Sequence, residues 1–175
     1  VFTEDGIATA TADGEVVIRD DDGKPVRRLG GHTGAVTALC AMPASGRFAS
    51  ADARGTIIVR DMASWKEERR LEVPVRVDSL AADPEGVWLL AGVAGNAQVF
   101  DLEEGINAAS LAVGAYHGAF FAGGKGIIQG TSSGGVVGFG LAAIEKLMEG
   151  RAREDKAAAP VHRQAVTLVE GGHED

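Results

Sequence analysis

The chain has 175 residues, 45% hydrophobic and 24% charged, a balance that suits a folded globular chain and not a disordered one. Its formal net charge of -8 argues against a general nucleic-acid binder, which needs a basic face to meet phosphates. One cysteine, Cys40, excludes an intramolecular disulfide and any site built from several thiolates, and no apolar run approaches the roughly eighteen residues of a membrane span. The expected setting is the reducing cytoplasm. Twenty-five glycines beside 5% aromatics favour many short strands and tight turns over long helices.

Taken in order, the chain repeats itself. The first unit, about 1–34, opens on "VFTEDG", the end of a strand and a polar link, and continues through "VVIRD" into the loop "DDGK". The second, 35–74, contains all four expected strands: "AVTALCAM" (35–42), "RFASADA" (47–53), "TIIVRD" (56–61) and the charged "KEERRLEV" (66–73). The third, 75–115, repeats the pattern through "VWLLAGVAGNAQVFD". The fourth, 116–160, begins "FFAGGKGIIQGTSSGGVVGFG" and then changes character, and 161–175 reads as the start of a further unit or a closing strand. Two glycine columns hold the register: Gly6, Gly46, Gly86 and Gly126, then Gly14, Gly55, Gly95 and Gly134. Glycine at a fixed place between strands supplies a positive φ without steric cost, so each column marks a column of turns. Apolar density falls from the first strand of a unit to its last, as in a sheet buried at one edge and wet at the other. Four antiparallel strands per forty or so residues, repeated, describe the blades of an all-β propeller.

Several motifs in order, "GHTGAVTAL" (31–39), "PASGRFASADARGTIIVRD" (43–61) and "PEGVWLLAGVAGNAQVFD" (84–101), resemble WD repeats. The resemblance covers about residues 1–140 and implies a protein-interaction propeller. It also implies a buried network of a histidine, a strand Ser or Thr, a turn Asp and a Trp. The sequence departs from that pattern. The Trp position holds Arg19, Arg60, Phe100 and Phe139, and the closing Asp is kept as Asp20, Asp61 and Asp101 but is Gly140 in the fourth unit. His32 and Ser50 fit the network, whereas Arg54 occupies the expected turn-Asp position and Arg60 replaces the Trp. Partial networks and blades held mainly by apolar packing are therefore expected. The structural positions are His32, Ser50, Gly14, Gly55, Gly95, Gly134, Asp20, Asp61 and Asp101.

Both ends of the sequence fall inside a repeat, and about four blades are present where seven or so are usual for the family, so the ring is read as incomplete. Three explanations stay open: part of a longer chain, closure of a small ring by the final strand, or pairing of two copies. Within 141–150, Leu141, Ile144, Leu147 and Met148 recur at helical spacing, which predicts a helical insertion. The stretch 141–159 is read either as a helix packed under the blade or as a docking element for a partner.

Chemistry is sparse by comparison. The histidines recur near the starts of units, and zinc-like spacing is absent. "FFAGGKGIIQG" lacks the Ser or Thr of a phosphate loop, and "RDDDGK" lacks the spaced Glu of a calcium loop. No catalytic residue, cofactor or metal ligand is assigned. The expected function is a non-catalytic protein-interaction scaffold, with a propeller-based enzyme or a small-ligand-binding propeller as the alternative. The expected partners are other proteins, without direct nucleic-acid contact. Candidate contacts lie in the loops of one face: His32, Thr33, Arg54, Arg76, Asn96, Tyr116 and Ser133.

Overall fold

The computed structural model describes residues 1–3, 5–111, 115–120, 126–131 and 136–140, together with Ala142 and Lys146. Strands follow one another in four consecutive antiparallel sheets. The first holds β1 (Phe2–Thr3), β2 (Gly6–Ala10), β3 (Val16–Arg19) and β4 (Pro25–Leu29). The second holds β5 (Val36–Met42), β6 (Arg47–Asp52), β7 (Thr56–Asp61) and β8 (Glu67–Glu72). The third holds β9 (Val77–Ala82), β10 (Trp88–Val93), β11 (Asn96–Asp101) and β12 (Ile106–Leu111). In the fourth, β13 (Ala115–Phe120), β14 (Gly126–Thr131) and β15 (Val136–Gly140) are described. Each sheet keeps its strands in sequence order, so every connection is a local hairpin or a short link to the next sheet. This is an all-β propeller architecture.

The expected helix at 141–150 lies outside the described residues except for Ala142 and Lys146, which are helical and exposed. Gly134 and 161–175 also lie outside them.

Local sequence explains the strands. The β-branched runs "VVIR" and "TIIVRD" are nearly fully buried, and successive side chains point to opposite faces of their sheet. Ala8, Val16 and Ile18 of the first blade meet Phe48, Met62 and Trp65 of the second. The other face of the second blade, with Ala49, Ala51, Ile57 and Val59, meets Leu89, Ala91 and Phe100 of the third. Leu90, Ala97 and Val99 then face Ile127 of the fourth. Burial does not decline steadily outward as the sequence suggests. The second and third strands of a blade are the driest, while the innermost strand β5 is half-buried along most of its length. A four-stranded sheet has two edges, and its inner edge is wet as well.

Six of the column glycines take a positive φ beside a turn, while Gly126 opens β14. Gly6, Gly46 and Gly86 have φ of 124°, 65° and 72°, and Gly14, Gly55 and Gly95 have φ of 89°, 95° and 77°. Their surroundings differ. A Cβ on Gly55 would stand 2.0 Å from the Val73 carbonyl oxygen and 2.7 Å from that of Val75, whereas one on Gly95 meets nothing within 4 Å.

The closing aspartates act at the opposite end of each blade. Asp20 Oδ1 accepts from the Lys24 amide at 2.8 Å, and Asp61 Oδ1 from the Ser64 amide at 2.7 Å. Asp101 Oδ1 accepts from the Glu103 and Glu104 amides at 2.8 and 3.0 Å. Each carboxylate thus ties down the loop between the third and fourth strands, Asp101 through an Asx turn to Glu103. The Ser64 hydroxyl and amide hold the Asp61 carboxyl below its ordinary pKa.

Among the described residues, two that are not glycine adopt positive φ: Ala94 at 49° and Trp65 at 59°. Ala94 and Gly95 form a two-residue hairpin between Val93 and Asn96, the geometry of a type I′ turn. Replacing Ala94 with Asn, which tolerates the left-handed region, is expected to raise stability by about 0.5–1 kcal/mol. Thermal unfolding of the two proteins checks this, and an unchanged or lower Tm contradicts it.

Trp65 stands where the sibling blades place Gly23 (φ 78°) and Gly105 (φ 73°). Its amide donates to the Asp61 carbonyl, as that of Gly105 does to Asp101. The buried ring meets Phe48 edge-on at 5.6 Å, and Nε1 donates to Asp5 Oδ2 of the first blade at 2.9 Å. The strain of a left-handed tryptophan is thus held in place by a contact between blades.

Candidate functional site

Two groups of residues stand out, one enclosed and one exposed, at the end of the blades that carries the β2–β3, β6–β7 and β10–β11 turns. The enclosed group centres on His32, in the link from β4 to β5. Its Nδ1 lies 3.2 Å from Asp52 Oδ2 and its Nε2 lies 2.7 Å from Ser50 Oγ. The side chains of His32 and Asp52 are wholly buried, and Ser50 has no exposed surface. Asp52 Oδ1 accepts from the Arg54 and Thr56 amides at 2.9 and 3.0 Å. Burial opposes charge on Asp52, but the Thr56 and Arg54 amides and the imidazole outweigh it and hold the carboxyl below its ordinary range. Burial also pushes His32 down from 6.5, and that effect exceeds the pull of Asp52. The ring is therefore neutral: Nδ1–H donates to the Asp52 carboxylate, and Nε2 accepts from the Ser50 hydroxyl.

Ser, His and Asp in this order also describe a hydrolytic triad. Here a substrate has no route to the Ser50 hydroxyl, since all three side chains are sealed from solvent. The group is a structural joint. It fixes the link on the second blade and, through the two amides, shapes the β6–β7 turn.

This corrects the expectation that the turn aspartate is missing because Arg54 takes its place. Asp52, two residues earlier at the end of β6, supplies the carboxylate, and Arg54 contributes its backbone amide. The replacement of Trp by Arg60 is real. The Arg60 side chain is 5% exposed, one of its terminal nitrogens donates to the Gly30 carbonyl, and Nη1 has no hydrogen-bond partner. Arg70 reaches the Gly31 carbonyl at 3.2 Å and pairs with Glu67 at 2.9 and 2.7 Å.

Of the candidate contacts, Thr33, Arg54 and Arg76 are exposed and Asn96 is half-buried. The His32 side chain faces inward. Tyr116 lies on β13, and Ser133 lies outside the described residues. Gly55 packs on the Val73 and Val75 carbonyls, and Gly34 packs on the Arg54 side chain. The β6–β7 turn and the two flanking links therefore form one ledge that presents Thr33, Arg54, the 44% exposed Val75 and Arg76. Arg76 pairs with Asp78 at 2.9 Å and Glu72 accepts from Thr56 at 3.2 Å, so the ledge carries mixed charge. Cys40 is half-buried on β5, and burial pushes its thiol pKa up. Among the described residues no group of three or more His, Cys, Asp or Glu is placed to hold a metal ion, and no helix is long and apolar enough to cross a membrane.

Sequence reasoning missed Asp52 and Trp65. Asp52 was visible as an acid two residues beyond Ser50 at a strand end. Trp65 carried no such signal: aligned on the closing aspartates, it falls opposite Gly105 of "DLEEGI" but opposite Lys24 of "DDDGK".

Repeated four-stranded blades, joined in sequence by links that pack on the following blade, define a β-propeller. The comparisons agree. The crystal structure of the Cps50 (Swd1) β-propeller domain of Myceliophteria thermophila superposes with a TM-score of 0.72 at 19% identity, covering 82% of this chain and 52% of that one. Small ribosomal subunit protein RACK1 of Candida albicans, a WD-repeat protein, is 34% identical over 74 residues, which are 42% of this chain and 23% of the relative. No family model matches the chain. The chain has the β-propeller fold, and its blades are similar to WD repeats. It spans about a quarter of that relative and about half of that structure.

Proposed function

We propose that the chain is a non-catalytic scaffold that binds other proteins and works as part of a larger multiprotein assembly. The observation that carries this reading is the ledge on the link-bearing face, where rigid packing beneath Gly55 and Gly34 presents Thr33, Arg54, Val75 and Arg76 outward. Arginine joined to a pre-organised backbone favours an interface, because little conformational freedom is lost when a partner docks. The likeness to RACK1, named as a ribosomal subunit protein, supports an assembly role.

The test is affinity capture from extracts of the source cells, with the chain compared against an Arg54→Glu/Arg76→Glu variant and a Lys66→Glu control at the far end of the blade. A specific set of proteins, reduced about tenfold by the double variant and retained by the control, is the expected result. Equal recovery on all three baits contradicts the assignment of this face.

A further inference from the structure

The seams on either side of the second blade are held by different chemistry. Among the described residues, thirteen buried apolar side chains form one cluster between the second and third blades. Between the first and second there are eight, and polar groups do more of the holding. His32, from the link that leaves the first blade, is enclosed by Ser50 and Asp52 of the second. Arg60 and Arg70 reach back to the Gly30 and Gly31 carbonyls, and Trp65 reaches Asp5.

We propose that the seam between the first and second blades is an acid-sensitive joint, at which charging of His32 lets the first blade part from the second while the second and third stay together. The pocket fits a neutral imidazole. A proton on Nε2 turns that atom from an acceptor into a donor aimed at Ser50 Oγ, 2.7 Å away, so the hydroxyl proton loses its acceptor. The charge enters a site without solvent contact, faced by the Arg60 guanidinium of β7 and the Arg70 guanidinium of β8. Asp52 on β6 favours the charge, but its second oxygen is committed to the Arg54 and Thr56 amides. Glu67 compensates Arg70 and does not touch His32.

The sign of the effect follows from the lowered His32 pKa. A group that binds its proton less well when folded leaves the seam at full strength above its ordinary value of 6.5, and strength is lost as pH falls below that value toward the folded one. Polar contacts across the other seam include Arg69 to the Glu103 carbonyl, Arg47 to the Gly86 carbonyl and Thr37 to the Val77 carbonyl. Neither a histidine nor a carboxylate takes part in these three bonds.

Hydrogen exchange read by mass spectrometry at about pH 7.5 and about pH 5, corrected for the intrinsic pH dependence of exchange, tests the joint. Amides of β2, β3 and the link at 30–35 are expected to lose up to about tenfold protection per pH unit below 6.5, while β6, β7, β10 and β11 keep theirs. In a Trp88→Phe background, Trp65 emission reports the same seam optically, with an expected red shift over the same range. His32→Asn removes the titrating ring and is expected to abolish the acid response. If that variant is unprotected at both pH values, the exchange pattern of the unaltered chain decides. Loss of protection spread evenly over all blades, first-blade protection that persists to pH 5, or an acid response intact in the His32→Asn protein each overturns the proposal.

Discussion

Replacing Asp52 with alanine is expected to destabilise the chain by about 3–5 kcal/mol, a large part of the total stability of an ordinary domain. The reason is the number of buried donors that depend on one carboxylate. His32 Nδ1, the Arg54 amide and the Thr56 amide all donate to it; the bonds from His32 and Thr56 are buried and that from Arg54 is partly so. Removing the acceptor leaves two buried donors and one partly buried donor without partners, so the loss exceeds that of a single hydrogen bond. Asp52→Asn retains an oxygen for the two amides and, with the imidazole in its other tautomer, a bond to His32, and a cost nearer about 1 kcal/mol is expected. Urea unfolding of both variants beside an exposed Asp21→Ala control measures the difference. A cost for Asp52→Ala as small as that of the control contradicts the account of the joint.

The second large effect belongs to Gly55. Alanine there meets two penalties at once: the left-handed φ of 95°, worth about 1–2 kcal/mol for a residue with a Cβ, and a backbone collision. The oxygen 2.0 Å from the new Cβ belongs to the Val73 peptide, which cannot rotate away as a side chain does, so the β6–β7 turn and the link must separate. A total above about 4 kcal/mol is expected. Gly95→Ala, in the same column of the repeat, carries only the φ penalty because its surroundings are open. Paired denaturation curves decide this, and equal costs for the two substitutions rule out the packing explanation.

These two glycines also show where the sequence was informative. Their spacing announced a column of turns, because turn geometry needs the same residue wherever it recurs. What presses on each turn depends on the neighbouring link, and spacing says nothing of that. The strands were legible for a similar reason: "TIIVRD" and its siblings alternate between two faces, and both faces are covered by the next blades. Helical spacing at 141–150 is a weaker signal, and that stretch lies almost wholly outside the described residues. The joint was half legible. His32 and Ser50 stood in positions matching the WD repeat, but the aspartate was sought at the tip of the turn, where Arg54 stands, and not at the end of β6. A carboxylate at the strand end serves as well, because the short turn folds its own amides back onto it. Trp65 was not legible at all, since its backbone conformation contradicts the preferences of its side chain, and only packing against Phe48 and Asp5 makes it tenable.

The contacts between blades have a consequence for how such a chain can change over time. Across both seams of the second blade, five side chains, Thr37, Arg47, Arg60, Arg69 and Arg70, donate to main-chain carbonyls of Val77, Gly86, Gly30, Glu103 and Gly31. A carbonyl is present whatever residue carries it. The instructions for each joint therefore sit largely on one partner, and the other partner is free to drift in sequence while the joint survives. Repeats joined in this way can diverge until few letters agree and still stack, which is the condition in which this chain's blades are found.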